Sequence, residues 1–411
     1  MQNSTFSSGL LGGSYSINKD GTGILSLNLT RGSIKLAIAL SSSSSLYLIE
    51  FDSFANGAGT ALQQTTSAFS TPSGTFVFHL NSSQANNPVL GSVSSAGSMT
   101  VKDGVTIGQE DVVRAGVTSS SIFTGSMTAP DANGRGTETL TDNAGNTSNY
   151  VYYVIDAGTL KFMETDSGQL GSGQADAQVG APFSNASLSN GFAFTYAGDT
   201  LANGSRANIA GAFTTDGKGN IVSGTYDFVQ GSNPISNAPL TGTYQVAPNG
   251  RATITLNPVG SSPIPLIAWI ASSAKTFILV NSPEVVESGR LEQQQDGPFS
   301  TASLSGTFAF YESGYDSQRL QSIVRVGLIQ FDGSTSLSFT DYFVNRNGST
   351  AQNGPVSGNY TASPDGRILA FSVGPTNSQV IYLMSNSSGD LVLGANGSNL
   401  AGSILQQAPP P

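Results

Sequence analysis

The sequence predicts an all-β protein built as a tandem array of eight-stranded antiparallel meander β-barrels, each about 115 residues long. Three observations support this fold class. Apolar residues alternate with polar ones in short runs, which is the pattern of half-buried strands. Asn-Gly and Asp-Gly pairs separate several of these runs, and such pairs favour tight hairpins. Three sequence blocks also recur in a fixed order along the chain.

The composition excludes several classes of function. The 411 residues include no Cys and one His, so disulfides, Cys nucleophiles and Cys/His metal sites are excluded. With 16 Lys+Arg against 26 Asp+Glu, a nucleic-acid partner is not expected. Apolar runs stay shorter than the roughly 18–20 residues of a membrane helix, so we expect no membrane-spanning segment. We predict no cofactor.

The repeat is the strongest signal in the chain. The first block, Gly-Thr-Tyr-Gln-Val-Ala-Pro-Asn-Gly-Arg from Gly242, returns from Gly358 and, in weaker form, from Gly13 and Gly125. The second block begins Pro-Phe-Ser at Pro182 and recurs 116 residues later and, more loosely, over 68–78. The third block is a Gln-rich end of each unit: Gln63-Gln64, Ala177-Gln178, Gln293-Gln294 and Gln406-Gln407. Repeats this long are whole domains rather than solenoid turns.

We therefore divide the chain into a partial unit, 1–66, and three full units, 67–180, 181–296 and 297–408. The partial unit contains only the last five of the eight strands, and five strands leave two edges exposed. We expect the chain to be a fragment of a longer one whose upstream part supplies the missing strands and the export signal. The alternative is that the partial unit pairs with a neighbouring chain or with the next unit.

One full unit illustrates the predicted strands. Hairpin turns such as 216–219 and 249–250 favour an up-and-down meander, and closing it removes both edges. A Greek-key sandwich is the alternative. The eight predicted runs are 192–196, 210–214, 221–229, 243–247, 251–256, 265–270, 276–280 and 288–293.

Three motifs carry a resemblance to known proteins. Leu-Ser-Gly-Thr-Phe-Ala-Phe at 304–310, Asp-Gly-Lys-Gly-Asn-Ile-Val-Ser-Gly-Thr-Tyr-Asp at 216–227 and Leu-Thr-Gly-Thr-Tyr at 240–244 resemble uncharacterised tandem β-repeat proteins of soil bacteria. The resemblance implies a large, secreted or surface-attached protein without assigned activity. The size and meander also look like lipocalins and avidins, in architecture alone, so no ligand residue is carried over.

Residues that could support catalysis are few. His79 aligns with Thr195 and Tyr311, opposite the strand's Phe residues, so we expect it on the solvent side. The carboxylate pairs Glu110-Asp111 and Glu284/Glu287 could in principle hydrolyse glycosides, but neither pair recurs in other units. Catalytic residues are therefore predicted to be absent, and the protein is predicted not to be an enzyme.

The repeated turn has two interpretations. Asp216-Gly217-Lys218-Gly219-Asn220 resembles part of a calcium loop without the terminal Glu, so a tight turn is favoured over a metal site. The Arg that follows the repeated Asn-Gly or Asp-Gly turn could bind an anion, although a solvated barrel rim is the simpler interpretation. These arginines are Arg135, Arg251 and Arg367. A Phe precedes each first strand and is expected to plug the barrel end or the joint between units: Phe69, Phe183 and Phe299.

The remaining candidates are aromatic. Trp269, Tyr244 and Tyr360 could line a ligand cavity or fill the core, and filling the core is favoured. We expect an extracellular or cell-surface spacer or adhesion scaffold, with other surface proteins or polysaccharide as partners. The alternative is a small-molecule or carbohydrate binder, and a hydrolase is third. A filled interior would favour the scaffold, and an interior cavity of about 300 Å³ or more would favour binding.

Overall fold

The computed structural model describes Gly9 and residues 12–29, 32–84, 91–230, 235–316, 321–372, 378–395 and 398–408. These residues form antiparallel strands and three short 3-10 turns. The strands build three closed eight-stranded barrels and one open five-stranded sheet. The predicted fold class is therefore confirmed, and the closed barrels exclude the sandwich alternative. The assignment of the four sheets to independent domains stays a prediction.

The unit used above for the strand prediction forms barrel 2. All eight predicted runs correspond to strands, and most strands are longer than the run that predicted them, although Ala247 lies one residue beyond β17. The last strand pairs with the first, which closes the meander. The strands are β14 (Ser189–Thr200), β15 (Arg206–Asp216), β16 (Asn220–Gln230), β17 (Ile235–Val246), β18 (Arg251–Pro258), β19 (Ile264–Ser272), β20 (Lys275–Val280) and β21 (Val285–Gln293).

Barrels 1 and 3 repeat this topology. Barrel 1 contains β6 (Gly74–Gln84), β7 (Val93–Lys102), β8 (Val105–Arg114), β9 (Val117–Met127), β10 (Arg135–Asp142), β11 (Thr147–Asp156), β12 (Thr159–Glu164) and β13 (Gln169–Ala177). Barrel 3 contains β22 (Ser305–Asp316), β23 (Gln321–Asp332), β24 (Ser336–Arg346), β26 (Val356–Ala362), β27 (Arg367–Ser372), β28 (Ser378–Ser385), β29 (Ser388–Ala395) and β30 (Ser398–Gln406). An additional strand, β25 (Ser349–Asn353), pairs with β24 beside the ring.

The remaining sheet, called the open sheet below, lies at the start of the chain. It comprises β1 (Gly12–Ile17), β2 (Thr22–Leu29), β3 (Gly32–Leu40), β4 (Ser45–Glu50) and β5 (Ala58–Leu62). Within the described residues, β1 pairs with β2 alone and β5 with β4 alone. The sheet therefore has two free edges.

The repeated Gly of the first block adopts one backbone conformation throughout. Gly21, Gly134, Gly250 and Gly366 all have φ between +73° and +91°. Such positive φ values are readily adopted by Gly and strain most other residues. The recurrence of Gly at this turn follows from that conformation.

Candidate functional site: the joints between units

The three aromatics proposed as ligand-lining candidates are all buried and packed in apolar clusters or their contacts. Tyr244 and Tyr360 lie inside barrels 2 and 3, buried, with hydroxyls that donate to the carbonyls of Leu188 and Leu304 at 2.8 and 3.1 Å. These carbonyls belong to the 3-10 turn that enters each first strand. Trp269 is also buried, but it lies outside barrel 2, in the contact with barrel 1.

The interiors of barrels 2 and 3 contain large apolar clusters together with a few buried polar side chains, Glu287 in barrel 2 and the hydrogen-bonded Glu312, Arg325 and Gln379 in barrel 3. Phe183 and Phe299 belong to the two cores, and Phe69 packs against the core of barrel 1. The three phenylalanines therefore pack on the barrel cores, as expected for residues that plug the barrel end or the joint between units.

Barrel 1 has several polar side chains in its interior. A cavity of about 90 Å³ at one end is lined by residues that include Glu110, Glu164 and Tyr150. Deeper in, the Thr106 hydroxyl donates to Glu138 at 3.1 Å. Burial raises the pKa of Glu110 to about 7 and the pKa of Glu138 to about 8. Glu110 lines the cavity of about 90 Å³, and Glu138 lines a separate cavity of about 10 Å³; both are well below the size of a drug-sized ligand pocket.

The proposed carboxylate pairs do not assemble. Glu110 faces the barrel interior, whereas Asp111 faces outward, as expected for neighbours on a strand. Glu284 is exposed and Glu287 is buried. Within the described residues, no three His, Asp or Glu side chains are grouped as metal ligands would be.

The candidate calcium loop is a self-satisfied turn. The Asp216 carboxylate accepts hydrogen bonds from the backbone N–H groups of Lys218 and Asn220 at 2.7 and 3.0 Å and from the Asn220 amide at 2.6 Å. These hydrogen bonds lower the pKa of Asp216 to about 2, and the bond from the Asn220 side chain has the largest effect. The geometry supports the turn interpretation because the carboxylate's acceptors are already used.

The Gln-rich block connects each unit to the next. One Gln amide donates to two backbone carbonyls of the following unit, one of them in the turn that carries the positive-φ Gly. A side chain on that Gly would collide with the Gln amide, which gives the Gly a second role. The four connections are Gln64 to Asn133 and Val154, Gln178 to Asn249 and Ile270, Gln294 to Asp365 and Leu383, and Gln407 to Asp20 and Leu40.

An ion pair lies at the centre of the joint between barrels 1 and 2. Arg251 donates from Nε and Nη2 to Asp111 at 2.8 and 2.9 Å, in the two-pronged geometry that suits a guanidinium. The Trp269 indole N–H donates to the same carboxylate at 2.9 Å. The hydrogen bond with Asp111 raises the pKa of Arg251.

The joint between barrels 2 and 3 repeats this arrangement. Arg367 donates to Asp227 at 2.7 and 2.9 Å, and the Tyr382 hydroxyl donates to the same carboxylate at 2.8 Å. All three side chains are buried. The prediction of a solvated rim was therefore wrong for Arg251 and Arg367, because the outer face of each barrel is covered by its neighbour.

His79 also lies in a joint. The ring is on the outer face of β6, as the alignment predicted, but it is half-buried and stacks on Phe277 of barrel 2, with centroids 5.5 Å apart. Burial lowers the pKa of His79 to about 4. The expected solvent-side position was wrong for the same reason as for the arginines.

The open sheet packs against barrel 3 through an apolar cluster, and Asn345 of barrel 3 donates to the carbonyls of Glu50, Asp52 and Ala55 beside it. We call this contact the apolar closing joint after that cluster. Phe343 occupies the outward position of Asp111 and Asp227, each 116 residues before the next. Ala39, the cross-strand neighbour of Thr22, stands at the Trp269 position. Phe343 packs among Ala39 and its neighbours and meets Phe51 edge-on at 5.3 Å.

The joints connect the four sheets into a closed circuit. The open sheet is joined covalently to barrel 1, barrels 1 to 3 follow one another, and barrel 3 packs back onto the open sheet. Gln407 makes the last connection in the same manner as Gln64, Gln178 and Gln294.

The signal for these joints was present in the sequence. Asp111 and Asp227 share the 116-residue spacing of Arg251 and Arg367, so the two partners of each ion pair repeat together. The run Leu266–Ala271 is apolar on both faces, which is typical of a strand buried on both sides.

Comparisons with known proteins identify no family. No family model matches the chain, and no curated protein matches it. Two solved structures resemble the chain. The first is intact Ap-TbpB (N and C lobes), which is 9% identical, with 91% of this chain and 86% of that chain covered and a TM-score of 0.21. The second is a mutant of the vaccine antigen Transferrin Binding Protein B (TbpB) from Haemophilus parasuis Hp5, which is 10% identical, with 89% of this chain and 84% of that chain covered and a TM-score of 0.21. At this TM-score the likeness supports no argument about fold or function.

Within the described part of the chain, no helix is long and apolar enough to span a membrane.

Proposed function

We propose that the protein is a non-enzymatic structural scaffold, exposed outside the cell or on its surface, in which a closed circuit of barrels holds its outer faces in fixed positions. The observation that supports this most is that one set of joint contacts recurs from unit to unit. A repeated joint fixes the relative orientation of the barrels, which is what a spacer or adhesion scaffold requires.

Two further observations support the proposal. Barrels 2 and 3 each contain a large apolar core, and the described cavities inside barrel 1 measure only about 10 and 90 Å³. The polar, Lys-poor composition supports the extracellular location, with surface proteins or polysaccharide as partners.

Two measurements on the full chain test the proposal. Small-angle scattering should fit one rigid envelope with no inter-barrel motion, and a thermal-shift screen of sugars and small apolar molecules should leave the unfolding temperature unchanged. A stabilising ligand whose effect is lost in Glu138→Gln would show that barrel 1 binds small molecules. A turnover screen with activity lost in His79→Ala or Glu287→Gln would show an enzyme instead.

A further inference from the structure

At the joint between the open sheet and barrel 1, both partners lack contacts that the equivalent surfaces of other units make; we call these the two incomplete sides. The first incomplete side is the open sheet, whose two edge strands are unpaired within the described residues. In barrel 2, the first strand β14 pairs with the last strand β21, and the third strand β16 pairs with the fourth strand β17. In the open sheet, the corresponding edges are β5 and β1, and neither has that neighbour within the described residues. The gap between these edges spans three strands, since the sheet has five where each barrel has eight.

The inner face of the open sheet is uncovered in the same region. Tyr15 occupies the repeat position of Tyr244 and Tyr360. Its side chain is 74% exposed, whereas Tyr244 is 6% exposed and Tyr360 is fully buried. The hydroxyls of the two buried tyrosines donate to carbonyls just before a first strand. Tyr15 therefore presents a ring and a hydroxyl that a first strand and its entering turn would cover.

The second incomplete side is the outer face of barrel 1. Arg135 and Tyr153 are cross-strand neighbours, as are Arg251 and Trp269 in barrel 2. The Nε of Arg135 is buried, and in the described structure it has no hydrogen-bond partner. In the joint between barrels 1 and 2, the guanidinium of the equivalent Arg251 donates to Asp111. Barrel 1 thus presents the basic and aromatic half of this joint without its acid.

Exposure along the same face supports this interpretation. Met163 of β12 occupies the repeat position of Leu279, Val392 and Ile49. The three equivalents are at most 1% exposed because a neighbouring unit covers them, whereas Met163 is 42% exposed.

The two incomplete sides adjoin each other. Gln64, which follows β5 closely, donates to the carbonyls of Asn133 and Val154, next to Arg135 and Tyr153. A cleft of about 690 Å³ lies at this joint, lined by residues from both units.

We propose that this joint binds a three-stranded antiparallel β-meander whose third strand carries an outward-facing Asp. Its first strand would pair along β5 and its third strand along β1, so that main-chain hydrogen bonds complete the barrel. The Asp would then face Arg135 and Tyr153 as Asp111 faces Arg251 and Trp269. The occupant has the chemistry of the first three strands of barrels 1 and 2.

The chemistry of the joint discriminates among occupants. The apolar closing joint places Phe343 in one cluster with Ala39, whose cross-strand neighbour is Thr22. A face with Phe at this position would leave the Arg135 guanidinium buried without an acceptor, which is costly. The third strand of barrel 3 is therefore a poor match for Arg135, and a strand with Asp is a good one.

The experiment mixes the full chain with a synthetic polypeptide of residues 183–230, which contains one entering turn, three strands and Asp227. We expect saturable binding by calorimetry and new hydrogen-exchange protection of amides in β1 and β5. Binding should weaken by about 30-fold or more with Arg135→Ala in the chain or Asp227→Asn in the polypeptide. The two changes together should cost little more than either alone, and Arg114→Ala, at an exposed arginine, should leave affinity unchanged.

Three outcomes would overturn the proposal. They are the absence of protection in β1 and β5, binding that is indifferent to Arg135→Ala and Asp227→Asn, and dimers of the chain alone that protect the same two strands. If the free polypeptide aggregates, the same residues fused ahead of β1 in one chain give the second test. In that fusion Tyr15 should become buried, as measured by loss of fluorescence quenching, and Asp227→Asn should lower the unfolding temperature. A fusion in which Tyr15 stays exposed contradicts the proposal.

Discussion

The charged joints between barrels and the apolar closing joint meet the same packing requirement with opposite chemistry. In joint 2–3, Arg367 and Tyr382 hold a buried Asp227. In the closing joint, Phe343 fills the acid's position, and Thr22 and Ala39 replace the large basic and aromatic partners. In each joint the side chains match in volume and charge. Exchanging a single residue of one joint for its equivalent in the other would therefore create a cavity, a clash or an unpaired charge. The joints therefore specify which faces meet.

The largest effect is expected from placing an acid in the apolar joint. Phe343→Asp buries a carboxylate among Ala39 and apolar neighbours with no donor, and we expect a loss of about 4 kcal/mol or more in unfolding free energy. Scattering should show the open sheet released from barrel 3. Adding Thr22→Arg and Ala39→Trp should recover part of the loss, and Phe343→Leu should cost only about 1 kcal/mol. Failure of the graft to recover stability would mean that the residue triplet alone does not define the joint.

Removing the base from a charged joint should have the next largest effect. Arg367→Ala leaves Asp227 buried with the Tyr382 hydroxyl as its remaining side-chain donor, which should lower the unfolding free energy by roughly 3 kcal/mol. Arg135→Ala removes an equivalent arginine that holds no acid, and should cost less than about 0.5 kcal/mol. Denaturant titration of both variants checks the difference. Equal losses would show that Arg367 contributes by packing of its stem alone.

The Gln connections are common to both kinds of joint and should matter less. Gln294→Ala removes hydrogen bonds to the carbonyls of Asp365 and Leu383, both at 2.8 Å, and should cost about 1–2 kcal/mol. Gln295→Ala, at the exposed neighbouring position, should be neutral. Thermal unfolding of the two variants distinguishes them, and a neutral Gln294→Ala would refute a structural role for this bond.

The smallest effect is a pH dependence of stability at the joint between barrels 1 and 2. Only this joint contains an imidazole, because His79 is the single His in the chain. Its pKa is about 4 when folded, below the ordinary value near 6.5, so the unfolded chain binds the proton more readily between these values. Stability from His79 is complete above pH 6.5 and is lost as the pH falls toward 4, by about 1–2 kcal/mol. His79→Phe keeps a ring on Phe277 and should flatten this part of the pH profile. An unchanged profile would place the folded pKa near its ordinary value.

The sequence was sufficient to predict what depends on local pattern. The alternation within 192–196 and the Asn249-Gly250 turn each reflect one strand or one hairpin, so the eight strands and the closed meander could be predicted. The Phe183 plug followed from its recurrence ahead of each first strand. Such features are fixed within one repeat.

The sequence was insufficient where one repeat covers another. Alternation places Arg367 and His79 outside the barrel correctly, but a strand pattern does not distinguish an outer face in water from one against a neighbour. Tyr244 lies in the core cluster of barrel 2, and its environment is internal to that barrel. Trp269 was also assigned to a core, yet its partner Asp111 is 158 residues away in another barrel.

The hydrogen bonds from Gln407 to Asp20 and Leu40 have a consequence for assembly. A head-to-tail contact between like units forms a ring when the rotation closes and an open filament when it does not. Here the same chain supplies both ends, and tethering gives them a millimolar effective concentration for each other. A chain whose closing joint is weakened would leave both ends free, and at high concentration the ends of different molecules would join into linear polymers.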